Sequence, residues 1–234
     1  MIPKVIHYCW FGGKALPSDV KKCINSWKKY CPDYEIKRWD ESNFDVYQNK
    51  FISDAYKNNA WAFVSDYARL KILYDQGGIY LDTDVELLKN LDSLLENKCY
   101  VGVQQQDGVI ATGLGFGAEK RNNAVLKMLD EYTDLTFNKD EVNNIACPWL
   151  NTKAISELGN YSLEEITYLK DITIFPPTYF DPIAPGNTKN LLSDDTFSVH
   201  HYSASWTSKS NILKRKIMRL IGQDKINNIK RYFK

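Results

Sequence analysis

Asp82 and Asp84, two aspartates separated by one residue, are the clearest candidates for ligand binding in this sequence. They flank Thr83 and follow the short apolar run 79–81. We expect them to serve different ligands, one a hard divalent cation and the other sugar hydroxyls. Mg²⁺ and Mn²⁺ prefer oxygen ligands and are typically held by one or two carboxylates together with substrate phosphates. An Asp-x-Asp segment that merely caps a turn is the alternative, which the triplet alone leaves open.

A second pair with chemical potential, Asp66 and Arg69, precedes the triplet. A spacing of three residues places both side chains on one face of the predicted helix 60–76. Because this helix is apolar on most sides, we expect it to be buried, and a buried guanidinium needs an anionic partner that offsets its lost hydration. A phosphate group suits the planar fork of an arginine. An internal Arg–Asp pair with a structural role remains the alternative.

Strands and helices alternate around these residues. A strand at 4–8, the helix 60–76 with Gly77-Gly78 at its end, and a strand at 79–81 follow the pattern of an α/β fold with a Rossmann-like, mostly parallel sheet. Ligands of such sheets lie beyond the carboxyl ends of the strands, where Asp82 and Asp84 would stand. The other predicted elements are a helix with Ser18 as its N-cap, helices at 46–57, at 123–134 and from Cys147, and strands at 34–39, within 99–118, at 172–175 and at 197–201.

Length, composition and charge divide the chain into two parts. A chain of 234 residues with 44% apolar residues suits one globular domain, which we place at residues 1–206. Residues 207–234 hold nine Lys or Arg and one acidic residue, so a tail of +8 follows a body of −7. The tail is predicted to form one or two basic amphipathic helices, which either attach to an anionic membrane surface or pack on the domain. No aromatic-interleaved basic patch accompanies it, so a nucleic-acid partner is not expected.

The cysteines and the chain start bear on location. Five cysteines without a CxxC pair indicate reduced thiols, and the first residues lack the basic and apolar regions of a signal peptide. No apolar run reaches 18 residues. We therefore expect a cytoplasmic protein, at the inner face of the plasma membrane if the tail binds lipid.

Several stretches together resemble the family 32 glycosyltransferases. This DXD-containing family includes the yeast initiation-specific mannosyltransferase and capsular polysaccharide enzymes, and it is distantly related to the catalytic domains of clostridial glucosylating toxins. The resemblance spans residues 2–206. Its most specific part runs from Ser65-Asp66 and Arg69 to Asp82-Thr83-Asp84, and further matches lie at 2–12, 26–40, 175–182 and 200–206.

The resemblance implies a GT-A fold and a retaining hexosyltransferase. The donor would be a UDP- or GDP-hexose, the cofactor Mn²⁺ or Mg²⁺, and the acceptor a glycan or lipid-linked glycan of a bacterial surface or capsular polysaccharide. Two alternatives stay open: a protein glycosyltransferase similar to the toxins, and a sugar-nucleotide-binding module without turnover.

The resemblance also implies roles for individual residues. The catalytic set would be Asp66, Arg69 and Asp84, with Asp66 on the donor-sugar hydroxyls and Arg69 at the diphosphate or the sugar. The other roles would be nucleobase stacking by Trp10, ribose and sugar contacts by Asp82, metal ligation by Asp84 and His201, and a cover over the diphosphate from Trp206. His200 remains the alternative to His201.

Two departures from the family pattern affect the reacting centre. Cys147-Pro148-Trp149 stands where many relatives have Gly-Pro, and the segment 104–115 lacks an asparagine often found near the anomeric carbon. We expect acceptor-side residues in loops at 104–113 and 147–152, since loops on a rigid sheet commonly carry specificity.

Overall fold

A computed structural model describes residues 1–141, 145–185 and 189–203. The predicted donor contact Trp206 and the basic tail 207–234 lie outside these residues. The boundary after residue 206 therefore stays a prediction.

In the part of the chain that the structure describes, nine strands form two sheets. The strands are β1 (Val5–Cys9), β2 (Glu35–Trp39), β3 (Gly78–Tyr80), β4 (Val85–Leu87), β5 (Cys99–Val103), β6 (Ile110–Ala118), β7 (Thr167–Tyr168), β8 (Thr173–Phe175) and β9 (Ser198–His200). Seven of them form the main sheet in the order β2-β1-β3-β6-β5-β8-β7. Its pairings give β2, β1, β3, β5 and β8 one direction, and β6 and β7 the other. The expected α/β fold with a mostly parallel sheet is confirmed.

Helices cover both faces of this sheet. They are α1 (Ser18–Tyr30), α2 (Lys50–Lys57), α3 (Trp61–Gln76), α4 (Asn123–Asp130), α5 (Cys147–Ser156) and α6 (Pro177–Phe180). One apolar core cluster contains residues of α2, α3, α4 and α5, and the other contains residues of α1 and α6. Alternation along β1 separates the two clusters, because Ile6 and Tyr8 belong to one and Cys9 to the other.

Helix α3 carries Asp66 and Arg69, strand β3 leads to Asp82 and Asp84, and a glycine pair joins the two elements. Gly77 ends α3 with φ +69, and its N–H donates to Leu73 O. Gly78 has φ +107, and a Cβ there would lie 2.7 Å from His7 Nε2. A side chain at Gly78 would therefore be both strained and blocked. The tight turn brings β3 beside β1 and directs the following residues to the carboxyl edge of the sheet.

Several predicted boundaries differ from the structure. Ser18 is the first residue of α1 rather than its cap, because Pro17 occupies the cap position. The helix predicted at 46–57 begins at Lys50, where the Asn49 side chain accepts from the N–H groups of Phe51 and Ile52. The segment 147–152, predicted as a loop on the acceptor side, belongs to α5. Within the described ranges, no helix combines the length and hydropathy needed to cross a bilayer.

Candidate active site

A cavity of about 280 Å³ opens at the carboxyl edge of the main sheet. It holds five of the six predicted site residues that the structure describes: Trp10, Asp66, Arg69, Asp82 and Asp84. The remaining lining comes from β1 and the loop after it, α3, β3 and the residue Thr83 beyond it, the turn after β5, β6, α5, and β9 with the chain after it: Cys9, Phe11, Lys14, Trp61, Ala62, Ser65, Tyr80, Thr83, Gln104, Ala111, Thr112, Gly113, Leu114, Cys147, Pro148, His200 and Tyr202.

Arg69 stands between two carboxylates. Its Nη2 lies 3.0 Å from Asp66 Oδ1 and 3.1 Å from Asp82 Oδ1, and its Nε donates to Ser65 O at 3.2 Å. The guanidinium carbon also lies 4.9 Å from the centroid of the Tyr80 ring. The arginine therefore has internal anionic partners, as the structural alternative required, while still lining the cavity. Burial would lower the pKa of Arg69, but Asp82, Tyr80 and Asp66 keep it above its ordinary value.

The two carboxylates around Arg69 are largely removed from water. Burial raises the pKa of Asp66 to about 6, although the charge of Arg69 opposes this shift. Burial also raises the pKa of Asp82, again against Arg69. A Cβ at Gly113 would collide with the Asp82 carboxylate, so the glycine allows β6 to approach it. The arrangement is a packed ionic pocket rather than a solvated helix surface.

Asp82, Asp84 and His200 form a cluster that suits a divalent cation. One ligand atom from each lies within 4.8 Å of the others. His200 Nε2 lies 3.0 Å from Asp84 Oδ1, while Asp84 Oδ2 accepts from the Ser203 N–H at 2.7 Å and from its hydroxyl at 3.1 Å. Two carboxylates with one imidazole are a donor set compatible with Mn²⁺ or Mg²⁺. The residues present therefore fit the metal that the resemblance implies.

Electrostatics within this cluster favour an ion pair. Burial would raise the pKa of Asp84, but the charge and hydrogen bond of His200, together with Ser203, hold it well below the usual range. Burial would lower the pKa of His200, but Asp84 raises it above the ordinary value. A bound cation would replace the histidine proton as the positive partner of Asp84.

His201, expected from the resemblance as a metal ligand, lies outside this cluster. Its Nε2 lies 2.8 Å from Glu86 Oε2, and it is absent from the group that Asp82 and Asp84 form with His200. Pairing of β4 with β9 sets Val85 opposite His200, and alternation sends the next side chain to the other face. The structure therefore assigns the cluster to His200. Asp82, expected on ribose and sugar hydroxyls, lies in the same group as Asp84.

Trp10 lies at the cavity, as the resemblance implied. Its Nε1 donates to Lys14 O at 2.6 Å, which closes the glycine turn after β1. Gly12 in this turn has φ +88, and a Cβ there would lie 2.8 Å from Trp61 Cε2. The turn therefore packs against Trp61 and leaves Trp10 half-buried on the cavity wall.

Some cavity residues were not assigned a role from the sequence. Tyr202 follows the two histidines, and its ring centroid lies 4.1 Å from that of His200. Cys147 Sγ lies 3.3 Å from Thr112 Oγ1 and accepts from Asn151 Nδ2 at 3.0 Å. Burial raises the pKa of Cys147 to about 12, so this thiol is protonated. In the sequence, the family match at 200–206 and the departure at Cys147 were the available signals for these residues.

Comparison with known proteins is consistent with this geometry. Residues 17–101 match the family described as "Glycosyltransferase sugar-binding region containing DXD motif". Uncharacterized glycosyltransferase L373 of Acanthamoeba polyphaga mimivirus is 24% identical over 225 residues, which cover 92% of this chain and 87% of that protein. Inositol phosphoceramide mannosyltransferase 3 of Schizosaccharomyces pombe is 32% identical over 146 residues, 58% of this chain. The matched region spans 39% of the length of that yeast protein.

A solved structure supports the fold. The PaToxG glycosyltransferase aligns with a TM-score of 0.55 and 23% identity, covering 67% of this chain and 68% of that one. The match through the Asp66 to Asp84 block and the named relatives agree with the resemblance found in the sequence. Together they show that the chain is similar to DXD-containing glycosyltransferases and shares its fold with a solved glycosyltransferase.

Proposed function

We propose that this protein transfers a hexose from a UDP- or GDP-hexose to a hydroxyl of a glycan acceptor, with Mn²⁺ or Mg²⁺ as cofactor and with retention at the anomeric carbon. The observation that carries this proposal is the meeting of two sites in one cavity: the Asp82, Asp84 and His200 cluster and the Asp66–Arg69 pair. A nucleotide diphosphate sugar carries the groups that both recognise, a diphosphate and sugar hydroxyls.

The residues divide the work of binding the donor. Asp84 and His200 would hold the cation with Asp82, and the bound cation would supply positive charge to the diphosphate. Trp10 would offer its ring to the nucleobase at the mouth of the cavity. Asp66, held by Arg69 at 3.0 Å, would accept hydrogen bonds from the donor-sugar hydroxyls. Arg69 would stabilise the negative charge that grows on the leaving diphosphate.

The carboxylates of the cavity favour front-face attack. A retaining hydrolase uses one carboxylate as a nucleophile about 5 Å from a second. The cavity carboxylates described here are instead engaged, Asp66 and Asp82 with Arg69 and Asp84 with His200. The acceptor hydroxyl would therefore attack from the side of the leaving group, and a phosphate oxygen of the departing diphosphate would take its proton.

A lipid-linked glycan is the proposed acceptor. The yeast relative is named an inositol phosphoceramide mannosyltransferase. The basic tail, with nine Lys or Arg, would hold the enzyme beside an anionic membrane where such an acceptor lies. We propose assembly of a bacterial surface or capsular polysaccharide as the process, on the strength of the family resemblance.

The first test measures donor turnover. With Mn²⁺ and a panel of UDP- and GDP-hexoses, we expect one donor to release its nucleoside diphosphate, and Asp84→Ala to slow release by about two orders of magnitude. Asp75→Ala is the matched control, because Asp75 is an exposed aspartate that pairs with Lys71 on α3. If no donor is consumed, or if Asp84→Ala matches the control, the proposed reaction is wrong.

Thermal shift identifies the donor without turnover. A donor present at 100 times its dissociation constant stabilises the folded protein by about 2.7 kcal/mol. A donor that stabilises the protein in Mn²⁺ but is never consumed would support the binding-module alternative.

A further inference from the structure

The His200 ring is hydrogen-bonded on one side only: its Nε2 meets Asp84 Oδ1 at 3.0 Å, and among the described residues its other nitrogen has no partner. Histidines that ligate metals usually fix their ring by donating from the second nitrogen to a carboxylate or a carbonyl. In His200 the second nitrogen, Nδ1, is buried and has no partner among the described residues. What contacts this ring is the ring of Tyr202, at a centroid distance of 4.1 Å and an interplanar angle of 49°.

Tyr202 in turn is held in an unusual backbone conformation. Its φ is +48, in the left-handed region, which costs free energy for a residue other than glycine. Its hydroxyl donates to Asp181 Oδ2 at 2.9 Å. This side-chain bond ties the aromatic ring, and the strained backbone that carries it, to a fixed point 21 residues earlier in the chain.

Asp181 is that fixed point. It is wholly buried, and its backbone N–H donates to Pro177 O at the end of α6. The same Oδ2 that accepts from Tyr202 also accepts from the Gln105 N–H at 2.8 Å. Gln105 stands next to Gln104, which lines the cavity.

The Gln105 side chain strengthens this connection. Its Oε1 accepts from the Lys189 N–H at 2.6 Å, and its Nε2 donates to Lys189 O at 3.0 Å. The turn after β5 is thereby fastened to the segment that follows Asp181. Asp181 Oδ2 therefore links Tyr202, which contacts His200, to the turn that carries Gln104.

We propose that Asp181 is a positioning residue that, through Tyr202, sets the ring of His200 for metal binding and, through Gln105, sets the cavity wall at Gln104. This inference rests on the proposed metal-dependent transfer, but its test does not require turnover. Neither Asp181 nor its bonds touch the cluster of Asp82, Asp84 and His200 directly. The charge of Asp181 also acts on His200, so a neutral variant that keeps the hydrogen bonds is needed to separate this effect from positioning through Tyr202.

The bonding pattern allows a substitution that separates geometry from charge. Both accepted bonds converge on Oδ2, whereas Oδ1 has no partner among the described residues. Asp181→Asn can keep its amide oxygen at the Oδ2 position and accept both bonds while losing the charge. Asp181→Ala removes both bonds, and Tyr202→Phe removes one bond while keeping the aromatic ring.

The experiment measures Mn²⁺ affinity of the full chain by the electron paramagnetic resonance signal of free Mn²⁺, without a donor. We expect Asp181→Ala and Tyr202→Phe to bind Mn²⁺ at least ~10-fold more weakly than the wild type, and Asp181→Asn to stay within ~3-fold. Tyr168→Phe, at an exposed tyrosine, is the matched control. Melting temperatures without metal separate a loss of positioning from a loss of folding, and Tyr202→Phe provides the test even if Asp181→Ala does not fold.

The outcomes are distinct. Wild-type affinity in both Asp181→Ala and Tyr202→Phe would overturn the positioning role, as would an Asp181→Asn variant as weak as Asp181→Ala. A wild type that does not bind Mn²⁺ would overturn it as well. If the wild type binds Mn²⁺ and the variants weaken as expected, but no sugar nucleotide is consumed, the proposed reaction fails while the positioning role stands.

Discussion

At the scale of single residues, Arg69 illustrates how a functional and a structural role coincide. Its two bonds to Asp66 and Asp82 neutralise carboxylates that would otherwise repel each other in a buried site. Removing one partner of a buried ionic group leaves the others uncompensated, which commonly costs several kcal/mol. The sequence suggested a phosphate or an aspartate as the partner of Arg69. The structure shows aspartate partners, and the paired guanidinium still lines the cavity, where the phosphate of a donor would meet it.

His7 is a buried histidine with a structural role and a measurable pH effect. Trp39 Nε1 donates to its Nδ1 at 3.0 Å, and its Nε2 lies 3.0 Å from Gly77 O, so the neutral ring satisfies both atoms. Burial lowers the pKa of His7 from 6.5 to about 4. The unfolded state therefore binds a proton before the folded state does. The contribution of His7 to the unfolding free energy is therefore complete above about pH 6.5 and is lost as the pH falls towards 4.

We expect this residue to contribute about 2 kcal/mol to the loss of unfolding free energy between pH 7.5 and pH 5. Urea unfolding at both pH values measures the loss. In His7→Gln the drop should be smaller by that amount, because glutamine does not titrate. An equal drop in the wild type and the variant would contradict the neutral, buried state of His7.

At the scale of elements, β6 shapes the site through glycines at every second position. A Cβ at Gly113, Gly115 or Gly117 would meet Asp82, Phe180 or Tyr100 respectively. Gly115 and Gly117 alternate along the strand and leave one face bare for Phe180 and Tyr100, whereas Gly113 lies where the pairing of β6 with β5 is irregular. The sequence predicts strands within 99–118 and a loop at 104–113, whereas β6 already begins at Ile110. Its glycines instead allow close packing.

This strand yields a paired prediction. Gly113→Ala should displace the Asp82 carboxylate and weaken Mn²⁺ and donor binding about 10-fold. Gly115→Ala crowds Phe180 instead, where a Cβ would lie 2.7 Å from Cδ1, and should lower the unfolding free energy by about 1–3 kcal/mol. Titration with Mn²⁺ and urea unfolding of both variants provide the comparison. If Gly113→Ala binds Mn²⁺ as the wild type does, the close approach of β6 to Asp82 is not needed.

Local patterns predicted the elements that deliver the site, whereas long-range pairing decided its details. The helix α3, the glycine pair after it and the aspartates beyond β3 follow from periodicity and turn chemistry alone. The choice between His200 and His201 depends on β4 pairing with β9, more than 100 residues along the chain. Alternation shows that the two histidines face apart, but not which face meets Asp84. The contact of Asp181 with Tyr202 has no local signal either.

At the scale of the whole molecule, the sheet topology brings the candidate site residues to one edge of the sheet, and the charge of the chain is unevenly distributed. Strands β1 and β3 run parallel and end at the same edge, so Trp10 and the Asp82 to Asp84 segment meet there. The antiparallel β6 then supplies the wall opposite Arg69. The acidic residues of this edge belong to a body of −7, and the chain balances them with a tail of +8. The net charge of +1 is therefore the sum of an acidic body and a basic tail.

This asymmetry predicts binding to anionic membranes through the tail. Each Lys or Arg near such a surface contributes about 1 kcal/mol, so changing Lys214, Arg215 and Lys216 to Gln in the full chain should weaken binding about 100-fold. Flotation with vesicles containing phosphatidylserine measures the effect. The control replaces three exposed lysines of α1, Lys21, Lys22 and Lys28, with Gln and removes the same charge from the body. If both triple variants float as the wild type does, the tail does not hold the enzyme at a membrane. If both lose flotation equally, total charge rather than the tail governs attachment.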